Sequence, residues 1–224
     1  MSAGGSLVTV LVELFLVLAV LGMAVKLLML NAWRALLVAF PGRFRLVPEA
    51  PAGTPLELPP GLEALAGQLR ALGFLPLGVH REASPLRKGL RSHDFVHPGE
   101  RVFATLYLSA RGEARLYLLT PLAPRGAVLT ADHARPKLDP PGEFLAVGLP
   151  ECPPELLLRA HRARLGPLRP AEDFSWEGRL QAGRDWYQGP GVREIRRQNL
   201  PGLLWTLVAL AIVVSLFLGG ERPV

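Results

Sequence analysis

Five histidines, His80, His93, His97, His133 and His161, and one cysteine, Cys152, are the side chains of this 224-residue chain with the widest chemical range. Histidine is the usual acid–base group and metal ligand near neutral pH. His93 and His97 stand four apart in SHDFVH. In an extended segment they share a face at ~13 Å, too far to chelate one ion; in a helix they could chelate. Phe95, Val96 and the His97-Pro98 pair favour an extended segment, so no metal site is expected. His161 lies at helical spacing with Leu158 and Leu165, where a buried imidazole needs a hydrogen-bond partner. Cys152 would be a nucleophile only if an imidazole approached it. His161, His97 and Cys152 are therefore the catalytic suspects, each against a plain structural reading: core, strand end and small buried residue.

Two other groupings carry charge chemistry. Arg81, Arg87, Lys88 and Arg91 face one Glu82 within REASPLRKGLR, a loop-like stretch that could meet the phosphates of anionic lipid. Aromatic residues are not interleaved with the cluster, so nucleic acid is not an expected partner. The second grouping lies in apolar sequence. Glu13 sits ~10 Å inside the first of two long apolar runs, where an ionised carboxylate costs at least a few kcal/mol. Ser215 in the second run falls at a similar depth. Ala211, Ser215 and Gly219 form a small-xxx-small ladder, so the runs are expected to pack together, or to dimerise, through Glu13 and this face.

Those runs dominate the composition, which is 50% hydrophobic with a net charge of +6. Residues 6–25 and 202–220 are each about long enough to cross ~30 Å of hydrocarbon as a helix. MSAGGS has no basic start and no cleavage signal follows, so an anchor is favoured over a signal peptide. Apolar sequence continues past Lys26 to Phe40, either as one long helix or, the slightly preferred reading, bending at Asn31 to lie on the interface with Trp33 and Arg34. Lys26, Arg34, Arg43 and Arg45 follow the first run, and Arg184, Arg193, Arg196 and Arg197 precede the second, with only Arg222 beyond. Counting basic flanks puts both termini outside an inner, plasma-type membrane and residues 41–201 in the cytoplasm. A single cysteine agrees with a reducing compartment.

Between the runs, residues 46–61 hold five prolines and read as a stiff linker. Leu62, Leu65, Leu69 and Leu72 then make one helical stripe ended by Gly73. Val102, Ala104, Leu106 and Leu108 alternate with Phe103, Thr105, Tyr107 and Ser109, and the run Ala114 to Thr120 completes a hairpin. Phe74–Arg81, Ser92–His97, Ala127–Ala131 and Phe144–Leu149 are further strands, and the segment after Cys152 is a second helix. The expected fold is membrane-anchored α+β: terminal transmembrane helices flanking one small cytoplasmic domain, residues 62–170, with an antiparallel sheet of five or six strands and two helices. Residues 26–45 form a juxtamembrane or interfacial helix, and residues 171–201 form an aromatic and basic juxtamembrane segment whose Phe174, Trp176, Trp186 and Tyr187 suit headgroup level and packing against the domain equally. Residues 1–5 and 221–224 are short outer tails.

Neither a phosphate loop, GxGxxG, HExxH, GxSxG nor CxxC occurs. No cofactor is expected. The expected function is a two-span membrane protein whose cytoplasmic domain binds, senses or scaffolds, with membrane lipid and a protein partner or a second copy as partners. Two alternatives stand beside it: a membrane-anchored enzyme with an unrecognised histidine site, and an accessory subunit of a transport or secretion complex.

Overall fold

The computed structural model describes residues 3–40, 45–50, 57–84, 87–135 and 144–218. The chain forms two compact units, one of residues 42–192 and one that combines residues 1–41 with 193–224. The first is α+β. Its seven strands are β1 (Arg45–Ala50), β2 (Leu75–Ser84), β3 (Arg87–His97), β4 (Val102–Leu108), β5 (Ala114–Pro121), β6 (Ala127–Ala131) and β7 (Phe144–Gly148), and they lie side by side in chain order.

Two features depart from the expected sheet. β1 arises inside the proposed linker and pairs antiparallel with β2, with Pro48 opposite His80. Proline is tolerated there because β1 is an edge strand. Residues 51–56 of the linker lie outside the described residues. β7 pairs with β6 in parallel, whereas every other neighbour is antiparallel. The intervening segment 132–143 is long enough to return the chain to the start of a parallel strand, which a tight turn cannot do. β2 and β3 also extend to Ser84 and Arg87, so the basic stretch expected as a loop forms the arms of a hairpin.

Both faces of the sheet are covered. On one lie α2 (Glu63–Ala71) and α3 (Pro154–Leu165), which bury Leu69, Leu157 and Leu158 against Phe95, Ala104, Leu106, Leu116 and Leu118. A short 3-10 turn, Pro60–Leu62, leads into α2, and Gly73 at φ 90° ends it, a conformation that suits a residue without Cβ. On the other face, α4 (Trp176–Gln188) lays Trp176, Leu180 and Trp186 against Leu46, Val96, Phe103 and Leu119. Ser175 caps α4, its Oγ accepting from Gly178 N at 3.2 Å. Among the described residues the domain thus has three α-helices, not two. Of the two places that suit Phe174, Trp176, Trp186 and Tyr187 equally, headgroup level and the domain, they take the second and pack on the sheet. Burial of two tryptophans and a leucine on one helical face explains why this segment joins the domain.

The second unit consists of α1 (Ala3–Ala39) and α5 from Arg193 onward, α5 as a whole being Pro190–Leu218. Both are long and apolar enough to cross a membrane. α1 does not bend at Asn31: the helix is continuous, and Asn31 Nδ2 donates to Leu27 O at 3.0 Å. Pro201 stands inside α5, because the helix begins at Pro190, twelve residues before the apolar run at Gly202. The contact face also differs from the expected ladder. Gly202, Thr206 and Ala209 are buried, whereas Ala211, Ser215 and Glu13 are exposed. Gly219 lies outside the described residues.

Candidate functional site

The alternation along β4 determines where polar chemistry can sit. Phe103, Thr105 and Tyr107 face α4, as do the neighbours brought opposite them by register: Asp94 beside Thr105 on β3, Tyr117 beside Thr105 on β5. Next to Asp94 across β2 stand His80 and Glu82 on the same face. Into this polar patch α4 inserts Arg179, which is 1% exposed, with Tyr187 two turns further on.

Arg179 Nε donates to Asp94 Oδ1 at 2.9 Å, and its Nη2 donates to Thr105 Oγ1 at 3.0 Å and to the Tyr117 hydroxyl at 2.7 Å. Thr105 Oγ1 also donates to Asp94 Oδ1 at 2.6 Å. The other oxygen, Oδ2, meets His80 Nδ1 at 2.5 Å. His80 Nε2 points toward Glu82 Oε1 at 3.7 Å, and the Tyr187 hydroxyl donates to the Glu82 carboxylate. The buried Asp94, Arg179 and His80 and the half-buried Glu82 therefore form one set of two carboxylates and two cations, in which Arg179 Nη1 and His80 Nε2 lack a hydrogen-bond partner among the described residues.

Each group's protonation follows from its neighbours. Burial opposes charge on Asp94, but Arg179 and His80 beside it prevail and hold its carboxyl below the usual range. Burial likewise opposes charge on Glu82, and the contacts with His80 and Tyr187 reverse the outcome downward. For His80 burial favours the neutral ring, while the Asp94 contact raises it above an ordinary histidine. Tyr117 is pushed up to about 12 by burial, partly relieved by Arg179. The set is balanced when His80 is imidazolium, and removing that proton leaves an excess of buried negative charge.

A second chain of contacts adjoins the first through Tyr107, whose ring centroid is 6.2 Å from that of Tyr117. Tyr107 OH lies 3.3 Å from His133 Nε2, and His133 Nδ1 lies 2.9 Å from Asp132 Oδ1. Asp132 is itself fixed, its Oδ2 accepting from Leu116 N at 2.9 Å. A carboxylate that orients an imidazole toward a hydroxyl is an arrangement able to move a proton. Burial raises the Tyr107 phenol, so its hydroxyl is a donor toward His133 and not a ready nucleophile. All three tyrosines of the chain, Tyr107, Tyr117 and Tyr187, thus gather on one face of one sheet.

The residues singled out by sequence lie elsewhere. His161 is fully buried on the opposite face, its Nε2 3.0 Å from Thr120 Oγ1 and its Nδ1 2.9 Å from Thr130 Oγ1. Burial, with Arg164 adding to it, lowers its pKa to about 3, so the ring is neutral. His97 Nδ1 accepts from Glu100 N at 3.1 Å, and the ring meets Phe74 edge-on. Cys152 Sγ lies 3.7 Å from the Pro153 carbonyl, with no imidazole contact among the described residues. Arg81 and Arg91 both pair with Glu49 of β1, which neutralises part of the basic cluster; nothing is described of the Arg87 and Lys88 side chains. Among the described residues no group of three or more His, Cys, Asp or Glu could hold a metal ion.

Asp94 and Arg179 are 85 positions apart, and only the seating of α4 on the sheet brings them together. The visible signal was the polar exceptions at period two: His80 and Glu82, Asp94, then Thr105 and Tyr107. No protein-family model, curated protein or solved structure matches the chain.

Proposed function

We propose that the protein is a two-span membrane protein with both termini outside an inner, plasma-type membrane and residues 41–201 in the cytoplasm, where the α+β domain serves as a binding or sensing module. The excess of Lys and Arg on the inner flanks of both apolar helices supports this orientation. The observation that carries the module reading is the position of Arg179. It is the buried cation of the polar set, it belongs to α4, and α4 is joined to the apolar helix α5 by Gly189 alone. Whatever loosens the Arg179–Asp94 contact acts on a helix that one residue joins to α5, the helix whose apolar part from Gly202 is the proposed anchor, and a sensor requires such a connection.

Gentle-detergent purification of the full chain tests the proposal. A stoichiometric partner whose retention changes in Arg179→Met supports it. A chain purified without any partner, and identical in this respect to the variant, counts against it.

The Asp132–His133–Tyr107 contacts favour a second reading, a membrane-anchored enzyme using His133 as its acid–base group. Turnover lost on His133→Gln with the fold intact would establish that reading in place of the first.

A further inference from the structure

The pairing of α1 with α5 fixes which part of α1 has no neighbour among the described residues of its own chain. A Cβ built on Gly202 would lie 2.4 Å from Arg34 Cβ, so the two backbones approach closely there. On α5, Thr206 and Ala209 are buried and Ile212, Val213 and Leu216 half-buried. Were the helices parallel, α1 would end at Ala39 long before it could cover those residues, so they run antiparallel. At ~1.5 Å per residue Leu218 then lies ~24 Å along α5 from Gly202, level with Leu18 of α1. Burial along α1 agrees independently: Ala24 and Leu37 are buried and Leu21 half-buried, but residues 7–20 are exposed all round.

Glu13 lies in this overhang, ~7.5 Å beyond the level of Leu218 and ~12 Å beyond that of Ser215. The described part of α5 cannot supply it with a partner. Yet an ionisable group in hydrocarbon is costly enough to require one. Two copies of a chain inserted with the same topology carry Glu13 at the same depth, and a protonated carboxyl is both donor and acceptor, hence complementary to itself.

We infer that the overhanging half of α1 is a homodimer surface, on which Glu13 of one copy hydrogen-bonds with the same face of a second, parallel copy. The inference rests on the membrane reading above. Its test uses the full chain with Cys152→Ser in lipid vesicles. Leu16→Cys stands on the Glu13 face and Phe15→Cys on the opposite one. Oxidation is expected to give a disulfide dimer with Leu16→Cys and little with Phe15→Cys. By fluorescence transfer at increasing lipid dilution, Glu13→Leu is expected to weaken association about 5- to 30-fold, the range of interhelical hydrogen bonds in model peptides, while Glu13→Gln, which keeps a donor and an acceptor, retains it. Equal crosslinking at both positions, unchanged association in Glu13→Leu, or a Glu13→Gln loss as large as that of Leu would each overturn it. Alkaline extraction of the same vesicles separates the two failures: a chain that washes off refutes the membrane reading, whereas a retained chain with an inert Glu13→Leu refutes only the dimer.

Discussion

Replacing Arg179 by Met should release α4 from the sheet more than any other single change in the domain. The methionine fills much of the volume but removes a fully buried cation that bonds Asp94, Thr105 and Tyr117. Deleting one partner of a buried ion pair costs roughly 3–5 kcal/mol, because the other charge is left uncompensated. Domains of this size are stable by about 5–15 kcal/mol, so a loss of that order consumes a large part of the margin and raises the unfolded fraction by about two to four orders of magnitude. Trp176 and Trp186 make α4 its own reporter, since both are buried against the sheet. With Trp33→Phe and Trp205→Phe, urea unfolding of the full chain in detergent can be followed by their fluorescence alone. Arg179→Met should move the midpoint to lower urea at unchanged slope. Adding Asp94→Asn removes the stranded carboxylate, so the double variant should recover at least about 1.5 kcal/mol relative to the sum of the single costs. A cost below about 1 kcal/mol for Arg179→Met, or strict additivity with Asp94→Asn, would refute the reasoning.

Stability should also depend on pH in a particular way. His80 is raised in the fold, so its contribution is complete below ~6.5 and is lost as pH rises through its folded value. Asp94 and Glu82 are lowered, so theirs are complete above ~4.3 and are lost as pH falls through their folded values. Urea midpoints should therefore plateau between about pH 4.5 and 6.5 and decline on both sides, and a His80→Gln variant that keeps the alkaline decline would contradict this. His161 should stay neutral, with no imidazole titration by NMR above about pH 4. Gly78→Ala should destabilise by about 1–3 kcal/mol, because the added methyl meets the Ala50 carbonyl and the Trp176 ring, both at 2.8 Å; a neutral result in the same urea assay would show that this contact can relax.

Much of the sheet was legible because β4 has two buried faces of different kinds. The alternation Val102, Ala104, Leu106 against Phe103, Thr105, Tyr107 places each set on the face it occupies. β1 was hidden by Pro48 and its proline-rich surroundings, a bias that holds for central strands and fails at an edge. The polar set was hidden by a different ambiguity. Tryptophan, tyrosine and arginine close to an apolar helix suit a headgroup region and a sheet surface equally, and the choice between them is made by long-range packing. Until α4 is seated on the sheet, Asp94 has no cation beside it and the buried set around His80 is incomplete. Along the terminal helices the apolar pattern located the spans but not the full helix lengths or the register, for which the close approach of Gly202 to Arg34 is the marker.

Site-directed labelling in intact cells tests the membrane arrangement most directly. In a Cys152→Ser background, Ser2→Cys and Val224→Cys should react with a membrane-impermeant maleimide added outside, whereas native Cys152, in the half-buried position that follows β7, should react only after the membrane is opened. Labelling of Cys152 in sealed cells at the rate of the two termini would contradict the account.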